Sequence, residues 1–278
     1  MSRKLFCEIS PLTYRISAFK ERQKRNIDWL FTNKKYANTF SKDNLPFIIY
    51  KHQSLIRRKL GNIDMELQEN KAINLSLVAP KITGILIKPN ETFSFWKLVG
   101  NCTKKMGFKE GLTISNEKPS QGIGGGMCQF TNLLHWLVLH SPLEISEHHH
   151  HNNFDLFPDF NRQIPFGTGT SILYNYLDYQ FENKTEQTFQ LIIYITDEYL
   201  CGELLSSKNL DSSYHIYEDD SYFYQENKIF YRHNKIFRKC TNKSNGIIIE
   251  NQLLLENNAK VMYDSKFIEK SLIREKKI

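Results

Sequence analysis

The chain has 278 residues, 40% hydrophobic and 24% charged, with 13 glycines and 8 prolines, which gives enough apolar material for a core and excludes a disordered, collagen-like or low-complexity protein. No run approaches the ~20 apolar residues that span a bilayer. The net charge of +7 is uneven: residues 1–60 hold 14 Lys and Arg against 4 Asp and Glu, and the remaining 218 residues hold 23 against 26.

The N-terminus has a charged start, but Glu8, Pro11, Arg15 and Lys20 interrupt any apolar run of the length a secretory signal needs. The basic clusters Lys20–Arg25, Lys34–Lys35 and Arg57–Lys59 suit a solvated face or an anionic membrane surface, and no nucleic-acid partner is expected. Five cysteines (Cys7, Cys102, Cys128, Cys201, Cys240) are odd in number and scattered, with no C-x-x-C pair. They predict neither a disulfide framework nor a thioredoxin motif. The expected location is cytoplasmic, peripheral to the inner membrane face if the basic segment is used.

Residues 1–80 read as a basic, mainly helical region, with Ile16, Phe19, Ile27, Trp29, Leu30 and later Leu55, Ile56 and Leu60 interleaved with charges and a break at Asn44-Leu45-Pro46. Residues 81–205 read as a separate domain. Lys88-Pro89-Asn90-Glu91 predicts a turn, and Thr92–Trp96 alternates as a half-buried strand does. Phe130, Leu133, Leu134, Leu137 and Val138 fall at i, i+3, i+4, i+7 and i+8, which predicts an amphipathic helix over Met127–His140, ended by Pro142. Thr188–Thr196 and Tyr199–Leu205 read as strands, and 206–278 as a β-rich extension of short strands separated by Asp219-Asp220-Ser221 and Ser244-Asn245-Gly246. The fold class is α+β: a helical N-terminal region, then a β-rich domain with one central amphipathic helix after a glycine-rich loop.

That loop, Gln121-Gly122-Ile123-Gly124-Gly125-Gly126-Met127-Cys128-Gln129, is the most informative segment. It lacks the Gly-Lys-Ser/Thr ending of a P-loop and the dinucleotide fingerprint, so no cofactor is expected. Cys128 falls in the first helical turn, where the helix dipole favours a thiolate. A thiolate beside exposed backbone N–H groups is what acyl transfer needs. A buried small hydrophobe behind a tight turn explains the same residues equally well.

Glu147-His148-His149-His150-His151 follows. In extended backbone His149 and His151 share one side, opposite His148 and His150. One pair could serve Cys128 as a base, hold a metal, or lie in a solvated loop; no fixed ligand spacing supports a metal assignment. The loop Pro165–Ser171 alternates glycines with hydroxyls, and Asp178 is a candidate to orient a histidine in a Cys/His/Asp set.

Pro89-Asn90-Glu91-Thr92-Phe93-Ser94-Phe95, Val99-Gly100, Gly107-Phe108-Lys109-Glu110, Gly124–Gln129, Leu143–Glu147 with the histidines, and Asp178–Thr185 together resemble the VanW domain, in the family's order over roughly 82–205. The resemblance implies a cell-wall protein associated with glycopeptide resistance and a cysteine-dependent, L,D-transpeptidase-like activity on peptidoglycan peptides or precursors. It puts Cys128 at the nucleophile position and His149 and His151 on the family's Glu-Arg-His-x-His pattern, with His148 in place of the arginine. The expected catalytic residues are Cys128, His149, His151 and Asp178. The expected substrate contacts are Gly124, Gly125, Gly126, Gln129, Thr168 and Thr170, with no metal. The partner is a cell-wall peptide or precursor, with residues 1–60 facing an anionic membrane surface. The alternatives are a non-catalytic binding module or a histidine-cluster metal protein.

Overall fold

The computed structural model describes residues 5–58, 64–115, 118–150, 153–159 and 162–275. Helix α1 (Pro11–Phe31) starts where Ser10 and Thr13 form a reciprocal capping box and Pro11 supplies a ready-made helical φ. Two short strands, β1 (Lys35–Tyr36) and β2 (Thr39–Phe40), lead to the nine-residue strand β3 (Phe47–Leu55). The sequence reading extends helix through this stretch. The run Phe47-Ile48-Ile49-Tyr50 directly after Pro46 is aromatic and β-branched, and it pairs antiparallel with a strand 150 residues downstream that local periodicity cannot reveal. Helix α2 (Met65–Ile82) follows, capped by Asp64, and buries Leu67, Leu75, Val78 and Ile82.

Strand β4 (Ile85–Ile87) reaches a turn in which Asn90 takes a positive φ of 61°, as the Pro-Asn signal predicts. Strand β5 (Glu91–Ser94) is buried at every position and gives way at Phe95 to the short helix α3 (Phe95–Val99). The segment read as one half-buried strand is therefore a strand covered on both faces that turns into helix. The hairpin β6 (Glu110–Ser115) and β7 (Lys118–Ile123) feeds helix α4 (Met127–Leu139), as expected from its apolar spacing. Next come β8 (Glu144–Glu147), β9 (Phe154–Asp155), β10 (Gln180–Glu182), β11 (Phe189–Ile195) and β12 (Tyr199–Ser206).

Two sheets frame the core. One has five strands in the order β2-β4-β11-β12-β3, the other four in the order β1-β5-β10-β8. Helices α2 and α4 lie against β11, β12 and β3. Leu75, Val78 and Ile82 of α2, Phe130, Leu134 and Leu137 of α4, and Phe93 and Phe181 of the second sheet join one buried cluster. The fold is α+β, and the N-terminal β3 and α2 are part of this core.

The C-terminal extension forms β13 (Ser212–Glu226), β14 (Ile229–Asn242) and β15 (Ile248–Val261), of 15, 14 and 14 residues, rather than short strands. Asp219-Asp220-Ser221 is absorbed as a bulge inside β13, with Asp220 at φ 49°, while Ser244-Asn245-Gly246 does form a turn. This sheet continues to β9 through a parallel pairing with β15 and reaches α4 through a small cluster of Trp136, Leu139, Ile216 and Ile236.

Candidate functional site

Cys128 is the second residue of α4, whose N-cap is Gly126 in left-handed conformation. The glycines before it are dictated by close approach. A side chain on Gly125 would run into the Gly111 backbone, one on Gly126 into the Lys71 stem, and one on Gly124 would meet Cys102 Cβ at 2.6 Å. Gly124 N–H donates to Lys109 O (3.0 Å) and Gly125 N–H to Gly122 O (3.1 Å), while Gly125 O accepts from Asn74 Nδ2 (2.9 Å). The N–H groups of Gly124 and Gly125 are thus used inside the loop and are not presented to a substrate.

Cys128 opens into a cavity of about 230 Å³ lined also by Asn132, His150, Asp155, Arg162 and Thr170. Thr170 closes the loop onto the helix: its N–H and Oγ1 donate to Asn132 Oδ1 (2.6 and 2.9 Å), and Oγ1 lies 3.3 Å from Cys128 O and against Thr131 Oγ1. Burial pushes the Cys128 thiol pKa up. Backbone hydrogen bonds from Ile172 and from Cys128 itself pull it down but do not outweigh the loss of water. Burial thus works against the thiolate that the helix position was expected to favour.

The histidine run divides by side. His148 Nε2 donates to Gly169 O (3.0 Å), and its ring stacks on His135 (4.2 Å between centroids) and more loosely on His150 (5.5 Å). Burial, with smaller contributions from His148 and His150, holds His135 well below the ordinary imidazole pKa, and burial also lowers His148. The stack leads from the core to the cavity, which His150 lines.

His149 is on the other side. Its Nε2 donates to Glu147 Oε1 (3.1 Å), and Glu147 is gripped by both guanidinium nitrogens of Arg25 at 2.6 Å and by the Asp178 N–H (2.9 Å). Burial works to raise the Glu147 pKa, but these partners keep it below the usual value. His151 lies outside the described residues. Among the described residues no group of three or more His, Cys, Asp or Glu converges as a metal site would.

The remaining expected site residues have other work. Asp178 is buried, and among the described residues it orients no histidine directly. It accepts from Ser94 Oγ (2.5 Å), Trp96 N–H (3.0 Å), Tyr179 N–H (2.8 Å) and Gln180 Nε2 (3.0 Å), fixing the start of α3. Gln129 Nε2 donates to Ser54 Oγ and Leu55 O, both at 2.9 Å, tying α4 to β3. Thr168 Oγ1 donates to Pro165 O within its own loop (2.8 Å). Of the residues proposed from sequence, Cys128 and Thr170 meet at the cavity. His150 and Asn132 belong there too, and Asn132 had a legible signal, one helical turn after Cys128.

Behind the Phe166 part of the cavity wall stand C-terminal residues that no motif marked. Phe166 O accepts from Asn234 Nδ2 (2.9 Å) and Asn257 Nδ2 (3.3 Å), and the Arg232 guanidinium lies 4.6 Å over the Phe166 ring. Arg232 also binds Asp159 (2.8 Å) and Asp155 (3.5 Å).

Cys128 at the start of α4 and His150 thus line one cavity in an α+β fold. Comparison with known proteins narrows this. The family described as "VanW like protein" matches residues 70–205. The chain is 35% identical over 228 residues, 82% of each protein, to the vancomycin B-type resistance protein VanW of Enterococcus faecalis (strain ATCC 700802 / V583). It is 30% identical over 122 residues, 43% of this chain and 37% of the relative, to the uncharacterized protein YoaR of Bacillus subtilis (strain 168). No solved structure matches it. The chain belongs to the VanW family.

Proposed function

We propose that this protein contributes to vancomycin resistance, the role that the name of its Enterococcus relative states for that protein, by cysteine-dependent acyl transfer on a cell-wall peptide or precursor. The observation that carries this reading is that Cys128 and His150 open into one cavity together with Asn132 and Thr170. Because the thiol pKa is raised, Cys128 rests as the neutral thiol, and a base must take its proton as it attacks. His150 takes the Sγ proton, the sulfur adds to the peptide carbonyl, and the departing amine leaves with that proton, giving a thioester. An acceptor amine then attacks the thioester, forms the new amide and returns the proton to sulfur. The first turn of α4 supplies backbone dipoles for the oxyanion. The small cavity suits one short stretch of extended peptide.

The test is intact-mass measurement after incubation with peptidoglycan stem peptides. Wild type should gain the mass of an acyl group that hydroxylamine removes, and Cys128→Ala should gain none. A wild-type protein that binds the peptide, forms no adduct and binds equally well as Cys128→Ser is a binding module, and the catalytic reading is then wrong.

A further inference from the structure

The face of α1 turned away from the body remains without a partner in the fold. None of the helix's residues is buried. Its half-buried side is Thr13, Ser17, Ala18, Glu21, Arg22, Arg25 and Trp29. That side is fixed by the Arg25–Glu147 ion pair and by Lys97, whose ammonium lies 4.9 Å over the Trp29 ring. On the opposite side Leu12, Ile16, Phe19, Ile27 and Leu30 recur at i, i+4, i+7, i+15 and i+18, one face of an α-helix on which Gln23 and Asn26 separate the first three apolar residues from the last two. They are 65%, 49%, 64%, 53% and 79% exposed. An apolar stripe of this length facing water is a surface built to be covered.

The charges say by what. At 100° per residue, Arg15 falls along one flank of the stripe and Lys20 and Lys24 along the other; Arg22, half-buried with its guanidinium 5.7 Å over the Tyr174 ring, is held against the body, and the helix's two acidic residues, Glu21 and Asp28, fall on the far side. Basic side chains bordering an apolar face are the arrangement of a helix lying in a membrane interface, with its apolar stripe among the acyl chains and its lysines and arginines at anionic headgroups. Among the described residues no helix is long and apolar enough to cross a membrane, so the geometry is one of lying on the surface. A second copy of α1 on the same stripe would bring like-charged flanks together, which argues against self-association.

We propose that α1 docks the protein on an anionic lipid surface through Leu12, Ile16, Phe19, Ile27 and Leu30, with Arg15, Lys20 and Lys24 at the headgroups. The proposal does not rest on the catalytic reading. Docking by this face leaves the opposite side, and with it the Glu147 strand that leads to the histidine run, held against the protein body.

Flotation of the full chain with vesicles tests it. The protein should float with phosphatidylglycerol–phosphatidylcholine vesicles at low salt, more weakly at high salt, and not with phosphatidylcholine alone. The triple variant Leu12→Gln/Phe19→Gln/Leu30→Gln should lose at least about tenfold in bound fraction, as should Lys20→Gln/Lys24→Gln. Ile249→Gln, which removes an exposed apolar side chain on β15, should bind as wild type. All variants should share one melting temperature, since no altered side chain is buried. Absence of flotation at low salt overturns the proposal. So does a dimer in light scattering that the stripe variant abolishes in a protein that never binds vesicles, because α1 would then be a self-association face.

Discussion

At the scale of single residues, burial decides the chemistry more than helix position does. Cys128 has backbone hydrogen bonds in its favour, yet loss of water around the sulfur outweighs them and pushes its pKa up. Lys71, which packs against Gly126 in the loop before Cys128, is the opposite charge in the same predicament. Its ammonium is buried with Gln68 Oε1 at 2.7 Å, and burial, helped by Arg58 and Arg57, pushes its pKa down from 10.5 to about 7. The unfolded chain keeps the lysine proton up to pH 10.5, while the folded one releases it from about pH 7. Between these values the unfolded state binds more protons, so this group makes stability rise with pH, and below pH 7 its penalty is present in full. In Lys71→Met the stem is kept and the charge removed. Urea midpoints should show a more stable protein at pH 7, by about 1–3 kcal/mol, and a flatter stability curve from pH 7 to 10. An unchanged slope would mean that water reaches the ammonium in the folded state.

The same scale shows where the sequence was legible. Cys128 stood out because a costly glycine run and a clear amphipathic period meet at it. The parity of the histidines was also readable, but not which pair faces inward. That is set by Arg25 holding Glu147 across 122 residues of sequence, which pins His149 outward and leaves His148 and His150 on the cavity side. Asp178 was a reasonable triad member by type, yet its oxygens are occupied by Ser94, Trp96, Tyr179 and Gln180. No local pattern discloses that.

At the scale of elements, the glycine loop is a crossing point of backbones. Gly125 and Gly111 pass so closely that neither accepts a side chain, and Gly125 has an ordinary negative φ, so space alone is the constraint there. Gly125→Ala should therefore cost about 1–3 kcal/mol by forced displacement of the β6–β7 hairpin, a loss of ~2–4 °C in melting temperature per kcal/mol for a chain of this size. Calorimetry without any ligand is the measurement. A melting temperature equal to wild type would mean that the hairpin yields and that space is not the constraint at Gly125. Helix α4 and strands β11 and β12 were legible because their periods are unbroken. Strand β3 was not, because Lys51, His52, Gln53 and Ser54 are all charged or polar, so the sequence hides that Lys51 and Gln53 are exposed while His52 and Ser54 are half-buried. The long C-terminal strands were cut short in the reading because a bulge and a turn use the same residues, and only the pairing partner tells them apart.

At the scale of the whole molecule, the C-terminal sheet is a brace for the cavity wall. Arg232 on β14 is almost wholly buried and spans Asp155 and Asp159 on one side and the Phe166 ring on the other. Burial raises the Asp155 pKa, and Arg162, Arg232 and the Tyr263 hydroxyl (2.9 Å) pull it back. Removing Arg232 leaves Asp155 buried with Arg162 at 4.0 Å as its nearest remaining ion-pair partner, so Arg232→Met should cost about 3–5 kcal/mol. Adding Asp155→Asn should recover part of that loss, because the charge needing compensation has gone, and a double-mutant cycle in urea measures the coupling directly. The structural consequence should be local. Amides of 153–159 and 165–170 should exchange faster in Arg232→Met, while those of β11 and β12, on the other side of α4, should keep their protection relative to the lowered global stability. Uniform loss across both regions would show that Arg232 only stabilises the fold as a whole. Selective loss would show that a family match ending at residue 205 omits the part of the chain that holds the cavity closed.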